Sequence, residues 1–174
     1  MRLTNAMELA VKEQVRLLAA EAAHCCWCPL CRADVMALAL SNLPPRYEVR
    51  GGGTHTAGEV GDEVARAARK VGGNPKHPPG EGVAVGESIW VVNFPLEEGM
   101  RAVDALFRGR DGACDCWRCR CDAVAFALNR YPARYGVEHR GETRLREEDR
   151  ARIREELGAF LSLAIHVVTT VPRH

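Results

Sequence analysis

The eight cysteines of this 174-residue chain fall in two tight groups: Cys25, Cys26, Cys28 and Cys31, then Cys114, Cys116, Cys119 and Cys121. Thiols at that density suit a thiophilic metal ion. A zinc ion takes four ligands in a tetrahedron, with sulfur at about 2.3 Å and imidazole nitrogen at about 2.0 Å. Cys-x-x-Cys at the start of a helix supplies two of them. Its first thiolate sits in the turn and its second lies one turn on, where unpaired backbone N–H groups favour negative sulfur. Cys-x-Cys immediately upstream adds a third, so Cys26, Cys28 and Cys31 form one three-thiol set and Cys114, Cys116 and Cys119 a second. Fourth ligands are sought at His77 and His174, which close the matching sequences Pro75-Lys-His77 and Pro172-Arg-His174, or at Cys25 and Cys121. The histidines are preferred because their context repeats. The expectation is about two Zn2+ per chain.

Such an ion is expected to be structural. A catalytic zinc keeps an open coordination position and a nearby base, whereas three or four thiolates leave little Lewis acidity. Nucleotide-loop, zincin and nucleophile-elbow patterns are missing, and Gly51-Gly-Gly53 lacks the flanking Lys-Ser/Thr of a phosphate loop. The chain therefore reads as a non-enzyme. A dithiol redox protein is the rival, since Trp27-Cys-Pro-Leu-Cys31 is similar to the motif of disulfide oxidoreductases. In those proteins a strand precedes the motif, while Ala19–Ala23 reads as helix.

The thiol sets are two copies of one unit. A shift of 88 residues superposes Cys26, Cys28, Cys31, Arg32 and Asp34 on Cys114, Cys116, Cys119, Arg120 and Asp122, with twelve identities in the 24 positions from 26 to 49. Asn5 also lands on Asn93. Identity at one fixed offset means tandem duplication, so the expected units are residues 1–80 and 81–174. They should pack together as one pseudo-dimer, because a unit that small leaves much of its surface wet.

Apolar spacing fills in the elements that must carry the thiols. Helices are expected over about 5–23, 31–42, 59–71, 96–107, from the second cysteine group to about 130, and over 146–168. Asp34 is expected in the first turn of the second helix, against its positive dipole end. Pro44 and Pro132 end helices, and Tyr47–Arg50 and Tyr135–Arg140 are candidate short strands. Val83–Asn93 reads as extended, either a strand or an anchor on the other repeat. The expected fold class is mainly α: two tandem helical repeats about a pseudo-two-fold, with short extended segments after each Pro-x-Arg-Tyr motif.

Charge and hydropathy narrow the partners. Lys+Arg 24 against Asp+Glu 23 gives a net charge of +1, so no bulk field draws the chain to nucleic acid or anionic lipid. No stretch approaches a membrane span. Met1–Ala23 is broken by Lys12, Glu13, Arg16 and Glu21, unlike a signal peptide, and thiols without a secretion signal point to the cytoplasm.

Cys28-x-x-Cys-Arg-x-Asp-Val-x-Ala-Leu-Ala-Leu-x-Asn-Leu-Pro-Pro-Arg-Tyr47, with Asn5-x-Met-Glu8 upstream and Asn74-Pro-x-His77 downstream, resembles the late competence development ComFB family. The second copy matches at Cys119-Arg-x-Asp122 and Ala125-x-Ala-Leu-Asn129 but departs in Tyr131-Pro-Ala-Arg-Tyr135. The resemblance implies a small, mostly helical, zinc-binding bacterial protein that forms a two-fold dimer, here fused in one chain. It further implies a role in signalling, since some members are receptors for cyclic dinucleotides such as c-di-GMP. Two phosphates and two purines call for paired arginines and flat rings. Arg46-Tyr47 and Arg134-Tyr135 supply such a pair, with Arg32 and Arg120 as further candidates. The bland alternative is that both tyrosines are core rings with tied hydroxyls. A protein partner, a nucleic-acid-associated competence scaffold and a dithiol redox protein complete the range of expected roles.

Overall fold

The computed structural model describes residues 3–22, 25–49, 57–78, 80–108, 114–142 and 145–171. In chain order they form β1 (Thr4–Asn5), α1 (Met7–Glu21), α2 (Pro29–Asn42), β2 (Tyr47–Glu48), α3 (Ala57–Gly73), β3 (Ile89–Asn93), α4 (Phe94–Arg108), α5 (Trp117–Leu128), β4 (Tyr135–His139) and α6 (Glu147–Thr170). The fold is mainly helical, with two small antiparallel ribbons, β1–β2 and β3–β4. Of Val83–Asn93 only Ile89–Asn93 forms a strand, β3, and the residues before it are not strand; β1 is too short for a periodicity to announce it.

Each half is a three-helix unit whose apolar stripe recurs at helical spacing. Val60, Val64, Ala67, Ala68 and Val71 of α3 are all buried, and so are Leu157, Leu161, Ala164, Ile165 and Val168 of α6, the same pattern 97 residues later. Each fully buried Leu or Ile of these stripes contributes about 1.5–3 kcal/mol relative to exposure. α2 begins at Pro29, two residues before the expected start, because proline at the first helical position loses no needed N–H. That start puts Asp34 in the second turn, buried, instead of the first turn on the dipole.

The halves exchange their ribbons. Leu3 and Tyr47 of the first half sit in the core of α4, α5 and α6, while Val91 and Tyr135 of the second half pack on the core of α1, α2 and α3. The pseudo-two-fold appears in single hydrogen bonds. Asn5 pairs with Tyr47 across β1–β2, and Asn93 with Tyr135 across β3–β4. Ala6 N–H donates to Arg46 O at 2.8 Å, and its counterpart Phe94 N–H to Arg134 O at 3.2 Å. Asn5 Nδ2 then crosses to Tyr135 OH (2.9 Å) and Asn93 Nδ2 to Tyr47 OH (2.6 Å). Tyr47 N–H donates to Asn129 Oδ1 (2.7 Å), and Tyr135 N–H to Ser41 Oγ (2.9 Å), its equivalent. Glu8 breaks the symmetry, accepting from Tyr135 OH at 2.9 Å where the second half has Leu96.

A compensating exchange shows how closely the copies are matched. Position 6 is Ala and position 48 is Glu in the first half; their partners 88 residues on are Phe94 and Gly136. A Cβ on Gly136 would lie 2.6 Å from Phe94 Cε2, so the buried ring occupies the space that a side chain at 136 would need.

Candidate metal centres and paired grooves

α2 and α5 position the thiols alike. Cys28 and Cys116 are the residues capping the two helix starts, with backbone angles of −61°, 163° and −60°, 157°. Cys31 and Cys119 follow one turn later and are buried. Trp27 holds φ at +53°, a left-handed conformation that a bulky residue takes only where its surroundings enforce it. Its indole N–H donates to Ala22 O at 2.6 Å and its carbonyl accepts from Arg32 Nε at 2.7 Å. This turn places Cys26 and Cys28 in one cluster although only one residue separates them.

The Sγ atoms of Cys26, Cys28 and Cys31 and a ring nitrogen of His77 all lie within 4.8 Å of one another. A tetrahedron of zinc–sulfur bonds near 2.3 Å has edges of about 3.8 Å, so the set fits a four-coordinate ion. Cys31 Sγ and His77 Nε2 are 3.2 Å apart. His77 Nδ1 is 2.9 Å from Pro78 O, which can only accept, so that nitrogen carries the proton and Nε2 is left as donor to an ion. Beside it, Lys76 Nζ forms an ion pair with the buried Asp34, tying the residues before His77 to α2. These residues could hold a metal ion, and three thiols with one imidazole make a donor set for a thiophilic one.

The protonation pattern agrees. Burial alone raises the Cys28 thiol, but the backbone N–H groups of Cys31 and Val83 and the thiols of Cys31 and Cys26 outweigh it and bring the pKa to about 7. Burial and the neighbouring Cys28 push Cys31 well above the ordinary thiol range. The second set repeats this: the Cys119 backbone N–H lowers Cys116, while burial raises Cys119 to about 12. Negative charge thus settles first on the capping sulfur. Gly82 packs directly on the first cluster, where a Cβ would meet Cys28 Cβ at 3.1 Å and Cys26 Sγ at 3.2 Å. Sequence reasoning missed it, because a glycine in a Pro-Gly-rich linker carries no mark of what it touches.

In the second centre the Sγ atoms of Cys114, Cys116 and Cys119 lie within 4.8 Å of one another. His174 falls outside the described residues. Cys25 and Cys121 are buried in the first and second cores and belong to neither ligand group.

The tyrosines and arginines sit differently from a pair of surface platforms. Tyr47 is only 4 % exposed, and burial raises its hydroxyl to about pKa 12 even though the hydrogen bonds with Asn93 and Tyr135 pull the other way. Burial raises Tyr135 still further, and its hydroxyl is tied to Asn5, Asn93 and Glu8. Both rings lock the halves together. Arg120 is held by Asp104 and Asp115 at 2.9 and 3.2 Å, and Arg134 lies 3.6 Å from Glu156. Arg32 and Arg46 are exposed.

Where one half's ribbon meets the other's helices, two grooves open. The first, about 400 Å³, runs between α2, the end of α3 and β4, and is lined by Asp34, Leu38, Ser41, Lys70, Asn74, Lys76 and Tyr135–Val137. The second, about 750 Å³, runs between α5, the end of α6 and the segment from Tyr47 to Val49, and includes Asp122, Phe126, Asn129, Val167 and Val171. These linings correspond through the same shifts of 88 and 97 residues. Both volumes fall within the range of about 300–1,000 Å³ common for small-molecule sites.

Two helical halves, each carrying a thiol knot that could hold a metal, and each completed by the other's ribbon, define a dimer folded from one chain. The chain belongs to the late competence development protein ComFB family, whose sequence model matches it twice, over residues 4–75 and 96–172. No curated protein and no solved structure matches it. Among the described residues, no helix is long and apolar enough to cross a membrane.

Proposed function

We propose that the chain is a non-enzymatic, cytoplasmic binding module of bacterial signalling, shaped by two structural zinc ions, that takes a cyclic dinucleotide. The observation that carries this reading is the pair of grooves built from both halves about the pseudo-two-fold, each beside a thiol knot. Cys26, Cys28, Cys31 and His77 would hold one ion and Cys114, Cys116 and Cys119, with His174, the other. Bound there, the ion would supply folding free energy on the order of 10 kcal/mol, comparable with a small domain's entire stability. The ligand class follows from the family resemblance and from the two grooves in equivalent places, and a protein partner would read the occupied form. The even charge weighs against nucleic acid.

Calorimetric titration of the metal-loaded chain with c-di-GMP and c-di-AMP tests the receptor role. Saturable heat accompanied by a rise in melting temperature supports it, and neither effect at high protein concentration rejects it. Native mass with and without chelator tests the metal, with two zinc ions per chain expected. The lowered Cys28 beside the raised Cys31 also resembles a nucleophile and its resolving partner. Insulin reduction by a chain that purifies without metal would favour that dithiol reading.

A further inference from the structure

The two grooves occupy equivalent places with unequal chemistry. Lys70 at the end of α3 corresponds to Val167, Asn74 to Val171, and Gly136 on β4 to Glu48. Each exchange moves the first groove in the same direction. It gains an ammonium group and an amide donor, and it lacks the carboxylate that Glu48 presents. Among the described lining residues the first groove carries net positive charge, through Lys70 and Lys76 against Asp34. In the second, Arg118 and Arg130 are balanced by Glu48 and Asp122, and Arg130 is already laid over the Phe126 ring at 3.6 Å.

Asp34 adds a second requirement. It is buried, one oxygen faces Lys76, and Oδ2 has no hydrogen-bond partner. A buried acceptor without a donor is costly, and a ligand N–H entering from the groove would supply one. Phosphate for the lysines and an N–H edge for the carboxylate are together the chemistry of a guanine nucleotide.

Building on the receptor reading above, we propose that the chain has a single nucleotide pocket, the groove between α2, α3 and β4. There the phosphate lies against Lys70, Lys76 and Asn74 and the guanine N–H edge is turned to Asp34. The second groove has lost this ligand. A cyclic dinucleotide accordingly binds once per chain, not twice as the duplication alone would suggest.

Titration of the full, metal-loaded chain with c-di-GMP should give one site per chain. Lys70→Gln, an exposed change that leaves zinc content untouched, should weaken binding about tenfold, the size of one lost charged hydrogen bond. Val167→Asn in the other groove should leave affinity unchanged. Two sites per chain, or loss of binding in Arg118→Gln with none in Lys70→Gln, overturns the assignment. If neither cyclic dinucleotide gives heat, the receptor reading fails, and the groove is judged with 5′-GMP by thermal shift. A shift that Lys70→Gln removes upholds the pocket, and no shift overturns it.

Discussion

Replacing Gly136 by Ala puts a methyl group 2.6 and 2.7 Å from two ring carbons of Phe94. Carbon atoms pack at about 3.5–4.0 Å, so the ring or β4 must move by roughly 1 Å. The ring is 5 % exposed and belongs to the second core, which makes overpacking by about 1–3 kcal/mol the expected cost. Phe94→Ala alone should cost about 3–5 kcal/mol through the cavity it leaves. In the double variant the methyl group meets empty space, so Gly136→Ala should become neutral or gain a few tenths of a kcal/mol from reduced unfolded-chain entropy. A coupling of about 1–3 kcal/mol follows. Urea melts of the metal-loaded chain at constant m would measure it, with each kcal/mol also moving the melting temperature by about 2–4 °C for a chain of this size. Additive effects within about 0.5 kcal/mol would refute the account of the Ala6/Glu48 to Phe94/Gly136 exchange.

His77→Ala should lower zinc in native mass from two ions per chain toward one, while His77→Cys, which keeps a soft fourth ligand, should retain both; equal retention in all three proteins would remove His77 from the ligand set. Lys76→Met leaves the buried Asp34 carboxylate without its cation and frees the residues before His77, so zinc loss to a competing chelator should quicken about tenfold, the lower end of outer-shell effects; an unchanged rate would count against that tether. All three tyrosines of the chain are raised by burial, Tyr47 and Tyr131 to about 12 and Tyr135 further. Their contribution to stability is therefore complete below about pH 10, the unfolded value, and is lost as pH climbs through the folded values. Tyrosinate absorbance should stay flat through pH 10 in the folded chain, and a midpoint near 10 without unfolding would contradict the buried hydroxyl network.

Much of this was legible from residue types and spacing. Cysteines at one offset announced the duplication, and apolar stripes such as Ile153, Leu157 and Leu161 announced the helices. Local patterns could not reveal the ribbon exchange, because Asn5 meets Tyr135 across 130 residues and Tyr47 meets Asn129 across 82. Nothing near Tyr47 in sequence says that its ring belongs to the other half. Apolar spacing alone puts Asp34 one turn too early, because it does not register Pro29 as the start of α2. Gly82 drew no reading from the sequence, because its contact with Cys26 and Cys28 depends on a fold-back that composition does not encode.

The Phe94–Gly136 exchange has a consequence beyond packing. When two identical chains associate, any substitution arrives on both sides at once, so a bulky ring and the gap that receives it must suit both copies. Fusion removes that restriction: one side may enlarge while its counterpart keeps the older solution, and a joint between twins can mature into a joint between specialists.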